Sequence, residues 1–217
     1  MFSTVVFDMD GTLLNTLFDL ANAGNYTLAK LGLPTHQRDE YKKMVGNGIE
    51  VLIQRMLPEE NRDSATVHLA LGIFAEYYEK HQLDETVPYE GILPLLQKCK
   101  NHKISMAVLS NKDDAFAKQI TSHFFGDLFR EVWGLQKNYP PKPDPSSLLA
   151  LLLKLGADPK HTLYCGDSNV DMLTAKNADI TSCGVLWGFR SAKELSNAGA
   201  HSLVSTAEEL ERKILGS

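Results

Sequence analysis

Four short segments carry the residues that could do chemistry. They read Asp8-Met9-Asp10-Gly11-Thr12-Leu13, Leu109-Ser110-Asn111, Lys142-Pro143-Asp144-Pro145 and Gly166-Asp167-Ser168-Asn169-Val170-Asp171. Together they offer a carboxylate nucleophile, an acid/base, a hydroxyl, an ammonium and an acidic pair for a metal. That set suffices to move a phosphoryl group through an aspartyl-phosphate intermediate.

Each residue has a role and a plainer alternative. Asp8 is the candidate nucleophile, since a carboxylate can attack phosphorus and split hydrolysis into two easier steps. Asp10, with Met9 turned away between them, would protonate the leaving group and then deprotonate water. Gly11 permits a tight turn close to the phosphate, with Thr12 beside it. The plain alternative is a turn-forming Asp-Gly. A calcium loop is excluded, because Thr12 and Leu13 stand where a third ligand and a glycine are needed.

Ser110, helped by the Asn111 N–H, would bind a phosphoryl oxygen. Taken alone it reads better as an ordinary serine at a strand end, capping the helix that follows. Lys142 sits before Pro143, which restricts it to extended backbone. Asp144-Pro145 then reads as an N-cap with proline in the first turn. A lysine held there would neutralise the nucleophile and the transferring group. Asp167 and Asp171 flank a helix start and offer hard oxygen ligands for magnesium, with Asp8 and the Asp10 carbonyl completing the site. The alternative is a pair of acids suited to a helix N-terminus.

The elements that must position these residues follow from the hydrophobic pattern. Thr4-Val5-Val6-Phe7 is a short buried strand that stops at Asp8. From Leu17 to His81 apolar residues recur at three-four spacing, which predicts amphipathic helices and no strand. Strands are then expected at 104–109, 131–135, 162–165, 180–186 and 202–204. Helices are expected at 92–101, 113–123, 146–155, 169–178 and 207–215. Alternating strand and helix implies a parallel Rossmann-like α/β sheet with helices on both faces. The expected organisation is a catalytic core of residues 1–15 and 86–217, with an all-helical cap at 16–85 inserted after the first strand. In such a sheet ligands bind beyond the carboxyl ends of the strands. The four segments therefore converge on one crevice.

Composition narrows the function classes. Of 217 residues 43% are hydrophobic, enough for one good core with a smaller appended unit, and the net charge is −5. With no basic stripe, nucleic acid and anionic membranes are not expected partners. The three cysteines, Cys99, Cys165 and Cys183, form no CxxC pair. They read as reduced thiols of a cytoplasmic protein. The seven histidines are scattered and suggest no metal set. No apolar run has membrane-spanning length.

The ordered segments resemble the haloacid dehalogenase superfamily of phosphatases. The resemblance implies Asp8 as nucleophile, Asp10 as acid/base, and Ser110 and Lys142 as phosphate and charge partners. It implies Asp167 and Asp171 as metal-binding acids for Mg2+. The helical insertion, Val45-Gly46-Asn47-Gly48 and Gly184-Val185-Leu186-Trp187-Gly188-Phe189 are most similar to the phosphoglycolate phosphatase branch. There, Gly46, Asn47 and Gly48 would offer N–H groups to a substrate carboxylate, although a plain helix-start turn explains them equally well. Asn15 stands where members often carry an acid. Asp10 argues against dehalogenase and phosphonate-cleaving chemistry, and Gly46-Asn47-Gly48-Ile49-Glu50 lacks the basic residues of sugar phosphomutases. The expectation is a phosphatase acting on a small phosphorylated metabolite, with 2-phosphoglycolate first. Pyrophosphatase, sugar- or nucleotide-phosphatase, phosphomutase and a silent binding protein stand as alternatives. A monomer and a homodimer are both compatible with the sequence.

Overall fold

The computed structural model describes residues 2–216. The first strand, β1 (Thr4–Phe7), is β-branched and aromatic and buried throughout. The chain then runs through β2 (Leu14–Asn15) into four helices, α1 (Leu17–Lys30), α2 (Tyr41–Met44), α3 (Ile49–Met56) and α4 (Ser64–His81). It returns through β3 (Val87–Pro88) to α5 (Ile92–Asn101), β4 (Ser105–Asp113), α6 (Asp114–Phe125) and β5 (Glu131–Leu135). The remainder is α7 (Ser146–Leu155), β6 (Thr162–Gly166), α8 (Asn169–Asn177), β7 (Thr181–Val185), α9 (Ala192–Asn197), β8 (Ser202–Val204) and α10 (Ala207–Leu215).

Six parallel strands form one sheet in the order β5-β4-β1-β6-β7-β8. The chain moves outward in one direction from β1 through β4 to β5, then in the other from β6 to β8. The order reverses between β1 and β6, which is where such sheets open a crevice at their carboxyl ends. Phe7 pairs with Val108 on one side and Cys165 on the other. The residues that follow these three strands therefore emerge side by side.

Three apolar clusters hold the molecule together. One face of the sheet packs Phe7, Val108 and Leu163 with Ile92, Leu96, Ile120 and Ile214. The other face packs Val6, Leu109 and Tyr164 with Leu148, Leu152 and Ala175. The cap helices have their own cluster, including Leu20, Tyr41, Ile53, Phe74 and Tyr78. Helix α7 shows how local sequence makes these elements. Its leucines at 148, 151, 152 and 155 face inward, and Gly156 ends it in left-handed conformation.

The helical insertion is tied to the sheet at its root. Strands β2 and β3 pair antiparallel, Leu14 with Pro88 and Asn15 with Val87. Above them the buried Asp19 carboxylate accepts the Glu85 and Thr86 N–H groups and the Thr86 hydroxyl at 2.7–3.1 Å. The cap's first helix and its return segment are thus joined by one buried acid.

The structure departs from the sequence reading in detail. Strand β4 continues past Ser110 to Asp113, with a shift of register against β5 between Leu109 and Asp113. Ser110 is therefore within the strand's span and not at its end. Helix α7 begins at Ser146, with Pro145 at its N-cap, while Asp144 Oδ1 still accepts the Ser146 N–H at 2.9 Å. The Lys142–Pro143 peptide bond is cis. Helix α9 was not expected. It is short and starts with a Ser191/Glu194 capping box, too few residues to show a periodic apolar face. Among the described residues no helix is long and apolar enough to cross a membrane.

Candidate active site

Asp8 leaves β1 with its N–H donating to Cys165 O at 2.8 Å. The turn after it is tight. Gly11 has φ +87°, and a Cβ there would collide with the Asp167 carboxylate. Met9 is fully buried in the sheet core, so Asp8 and Asp10 both face the crevice side of this turn. The Asp10 carboxylate is fixed from two sides. Thr16 Oγ1 donates to its Oδ1 at 2.7 Å, and Lys112 Nζ lies 3.3 Å from its Oδ2.

Lys142 reaches into the crevice from the loop before α7. Its Nζ, on a residue 4% exposed, donates to Asp8 Oδ1 at 2.9 Å and Asp171 Oδ1 at 2.7 Å. It also donates to Leu109 O and to the Tyr164 hydroxyl, both at 3.0 Å. Burial opposes its charge, but Asp171 and Asp8 overcome this and hold its pKa well above the usual lysine range. The loop that carries Lys142 is itself held by Asn111. That carboxamide accepts the Lys142 N–H at 2.8 Å and donates to Lys142 O and to the cap's Gly46 O. Ser110, 4% exposed, accepts the Lys112 N–H at 3.2 Å.

Asp167 and Asp171 come from the end of β6 and the first turn of α8. Carboxylate oxygens of Asp8, Asp167 and Asp171 lie within 4.8 Å of one another. Burial raises the Asp8 pKa to about 7, with Asp171 adding to the rise and Lys142 opposing it. Burial, then Asp171 and Asp8, also push Asp167 well above the usual carboxylate range. Three buried acids and one ammonium leave an excess of two negative charges when all are ionised. Hard oxygen donors with that excess fit a divalent cation.

Asp171 has a second task that the sequence reading lacked. Its Oδ2 accepts the Ser168 N–H and hydroxyl at 3.0 and 2.6 Å, closing a capping box at the start of α8. Its Oδ1 takes Lys142 and the Tyr164 hydroxyl. The acid therefore orients the lysine as well as lying beside the other two carboxylates. Asp167 is held by the Phe189 N–H at 2.6 Å and faces the Thr12 hydroxyl at 3.5 Å. Trp187 also donates its indole N–H to Thr12 O at 2.9 Å.

The cap completes the crevice. A cavity of about 220 Å3 opens against Asp8 and Asp10, and Gly46, Gly48, Ser110, Asn111 and Lys112 are on its wall. Asn47 is not on that wall. Its side-chain oxygen accepts from Arg55 Nη2 at 2.9 Å. The Gly46–Gly48 loop is secured to the sheet by Arg190, which donates to the Lys42 and Val45 carbonyls. Sequence reasoning missed Lys112, Tyr164 and Arg190. Lys112 directly follows Ser110-Asn111, which was the available signal; Tyr164 lies in a strand pattern and Arg190 in a loop, with no local mark of either role.

The profile of the haloacid dehalogenase-like hydrolase family matches residues 5–185. The chain belongs to that family. Among the family's curated members, the Pseudomonas putida phosphoglycolate phosphatase is 33% identical over 206 residues, 92% of this chain and 75% of that protein. The Psychrobacter arcticus phosphoglycolate phosphatase is 32% identical over 88% of this chain and 86% of that one. A crystal structure from Lactobacillus delbrueckii subsp. bulgaricus superposes with a TM-score of 0.94 at 30% identity, covering 100% of this chain and 99% of that one. A Streptococcus pneumoniae hydrolase of the haloacid dehalogenase-like family shares the fold at TM-score 0.86 and 21% identity, with 96% of each chain covered.

Proposed function

We propose that this haloacid dehalogenase-like hydrolase is a magnesium-dependent phosphatase that cleaves a small phosphomonoester through an aspartyl-phosphate intermediate. The observation that carries the reading is the cluster of Asp8, Asp167 and Asp171 with Lys142 bonded to Asp8, and Asp10 beside Asp8 on the cavity wall. Relatives named phosphoglycolate phosphatase make 2-phosphoglycolate the first substrate to test.

An Asp8 oxygen attacks phosphorus, forming a P–O bond as the ester P–O bond breaks. Asp10 gives its proton to the departing alkoxide. Asp10 then takes a proton from water, whose oxygen attacks the phosphorus of the aspartyl phosphate. Inorganic phosphate leaves and the Asp8 carboxylate is restored. Ser110, the Asn111 N–H and the backbone at Gly11 and Thr12 would hold phosphoryl oxygens, while Lys142 offsets their charge. Asp8, Asp167 and Asp171, with the Asp10 carbonyl, would hold magnesium, which supplies positive charge to the transferring group. The Gly46–Gly48 loop would meet the organic part of the ester.

The test is magnesium-dependent phosphate release from 2-phosphoglycolate, pyrophosphate, sugar phosphates, nucleotides and an aryl phosphate. Release that needs both magnesium and Asp8 supports the mechanism, and a preference for 2-phosphoglycolate supports the substrate. Absence of release from every ester, with magnesium bound, removes the hydrolase reading.

A further inference from the structure

The cavity beside Asp8 and Asp10 has two unlike ends. Its charged side chains, Asp8 and Asp10 after β1 and Lys112 and Asp113 at the end of β4, all come from the α/β core. The cap contributes Leu20 from α1, Ile49 and Leu52 from α3, and Leu71 and Phe74 from α4, with Phe116 of α6 opposite. Among the described residues, none of the cap side chains on this wall is charged. Phe74 stands there beside Tyr78, whose ring meets Phe116 edge-on at 5.4 Å between centroids. The buried Tyr78 hydroxyl has no hydrogen-bond partner among the described residues.

The one ammonium on the wall, Lys112, is already engaged. It sits 3.3 Å from Asp10 Oδ2 and 4.7 Å from the centre of the Tyr78 ring. A second anionic group placed between α3 and α4, away from the Gly46–Gly48 loop, would be buried against hydrocarbon, which is costly without a partner. An apolar group placed there loses nothing polar and gains from leaving water. Size agrees with this. An apolar cavity of about 150 Å3 holds a benzene molecule, and this one is about 220 Å3 with the phosphate end included.

We infer that the cap end of the cavity binds an apolar ester group, so that this chain hydrolyses phosphomonoesters whose leaving group is an aliphatic or aromatic alcohol of about ring size. This inference rests on the phosphatase reading and names a substrate class for the same site. The phosphoryl group lies between Asp8 and Ser110, and the hydrocarbon extends between α3 and α4. Chemistry is unchanged: the P–O bond to the alcohol breaks, and the alkoxide takes its proton from Asp10.

Linear alkyl phosphates test it, because lengthening the chain beyond ethyl changes leaving-group basicity little. Phosphate release is measured with magnesium from methyl, ethyl, propyl, butyl and pentyl phosphate, with 2-phosphoglycolate alongside. Each methylene fully removed from water raises kcat/KM about fourfold, so pentyl phosphate should exceed methyl phosphate by at least about tenfold. Ala75 lies exposed on the cavity rim, so a larger side chain is accommodated there without disturbing the core. Ala75→Phe should lower the pentyl-to-methyl ratio at least about fivefold by narrowing the cap end. A flat or falling series, with methyl phosphate or 2-phosphoglycolate still cleaved, overturns the inference and leaves the phosphatase reading standing. No cleavage of any ester, 2-phosphoglycolate included, removes both.

Discussion

Lys142 Nζ lies 2.7 Å from Oδ1 of Asp171, and both side chains are almost wholly buried. The acid is pinned in turn by Ser168 at the start of α8. Asp171 thus fixes the ammonium that also bonds Asp8, 2.9 Å away. Breaking a buried pair leaves an uncompensated charge and costs about 3–5 kcal/mol. Asp171→Ala should show a loss of that size in urea unfolding, with phosphate release falling in parallel. A change below about 1 kcal/mol would show that the pair contributes little beyond what its neighbours supply.

Asp8→Asn keeps the shape of the side chain and removes the proposed nucleophile. Phosphate release should fall by at least about a thousandfold while the protein stays folded. Steady-state kinetics and near-ultraviolet circular dichroism read the two effects separately. A rate within about tenfold of the parent would take Asp8 out of the nucleophile's role.

The pH dependence of metal binding follows from crowded acids. Asp8 is raised from the ordinary 3.8 to about 7, and Asp167 is raised too, chiefly by burial. Without metal, the folded protein therefore holds protons that the unfolded chain releases above about pH 4. The stability this contributes is full below that pH and is lost as pH rises through about 7. Magnesium held by these acids, as proposed, would compete with those protons and relieve the repulsion once they have gone. The rise in melting temperature on adding magnesium should be larger at about pH 8 than at about pH 5.5. An equal or larger rise at the lower pH would contradict this account.

The buried Asp19 carboxylate joins the two ends of the helical insertion through its bonds to Glu85 and Thr86. Asp19→Ala leaves two buried or half-buried N–H groups and a hydroxyl without their acceptor. A destabilisation of about 3 kcal/mol is expected in chemical denaturation. Because Asp19 is at the cap's root and not in the crevice, KM should rise more than kcat falls, since cap placement is what loosens. A variant as stable as its parent would show that water replaces the carboxylate.

How much of this was legible beforehand depends on how local the signal is. The turn from Asp8 to Thr12 announces itself, because a buried strand followed by Asp-x-Asp-Gly has few other uses. The acids at 167 and 171 are readable as flanking a helix start, but the Ser168–Asp171 capping box came only with the structure. The helical insertion is visible in its three-four periodicity. By contrast, no neighbouring residue shows that Lys112 is buried, since Tyr78, the ring beneath it, is on a helix far away in sequence. The Asn47 carboxamide accepts from Arg55, two helical turns on, a partner that the residues adjacent to Asn47 do not announce.

The amino-acid sequence by itself determined the strands, the amphipathic helices, the glycine-permitted turns and the identities of the acids, because each rests on the chemistry of a few adjacent residues. Tertiary structure alone decided which side chains in that crevice bond to one another, and how deeply each acid is buried. Lys142 meets Asp8, Asp171 and Tyr164 across separations of 134, 29 and 22 residues, fixed by the strand order of the sheet. The raised Asp8 pKa and the apolar cap end of the cavity have the same origin. Both arise from burial, which depends on how the cap and the sheet close on each other and not on any one segment.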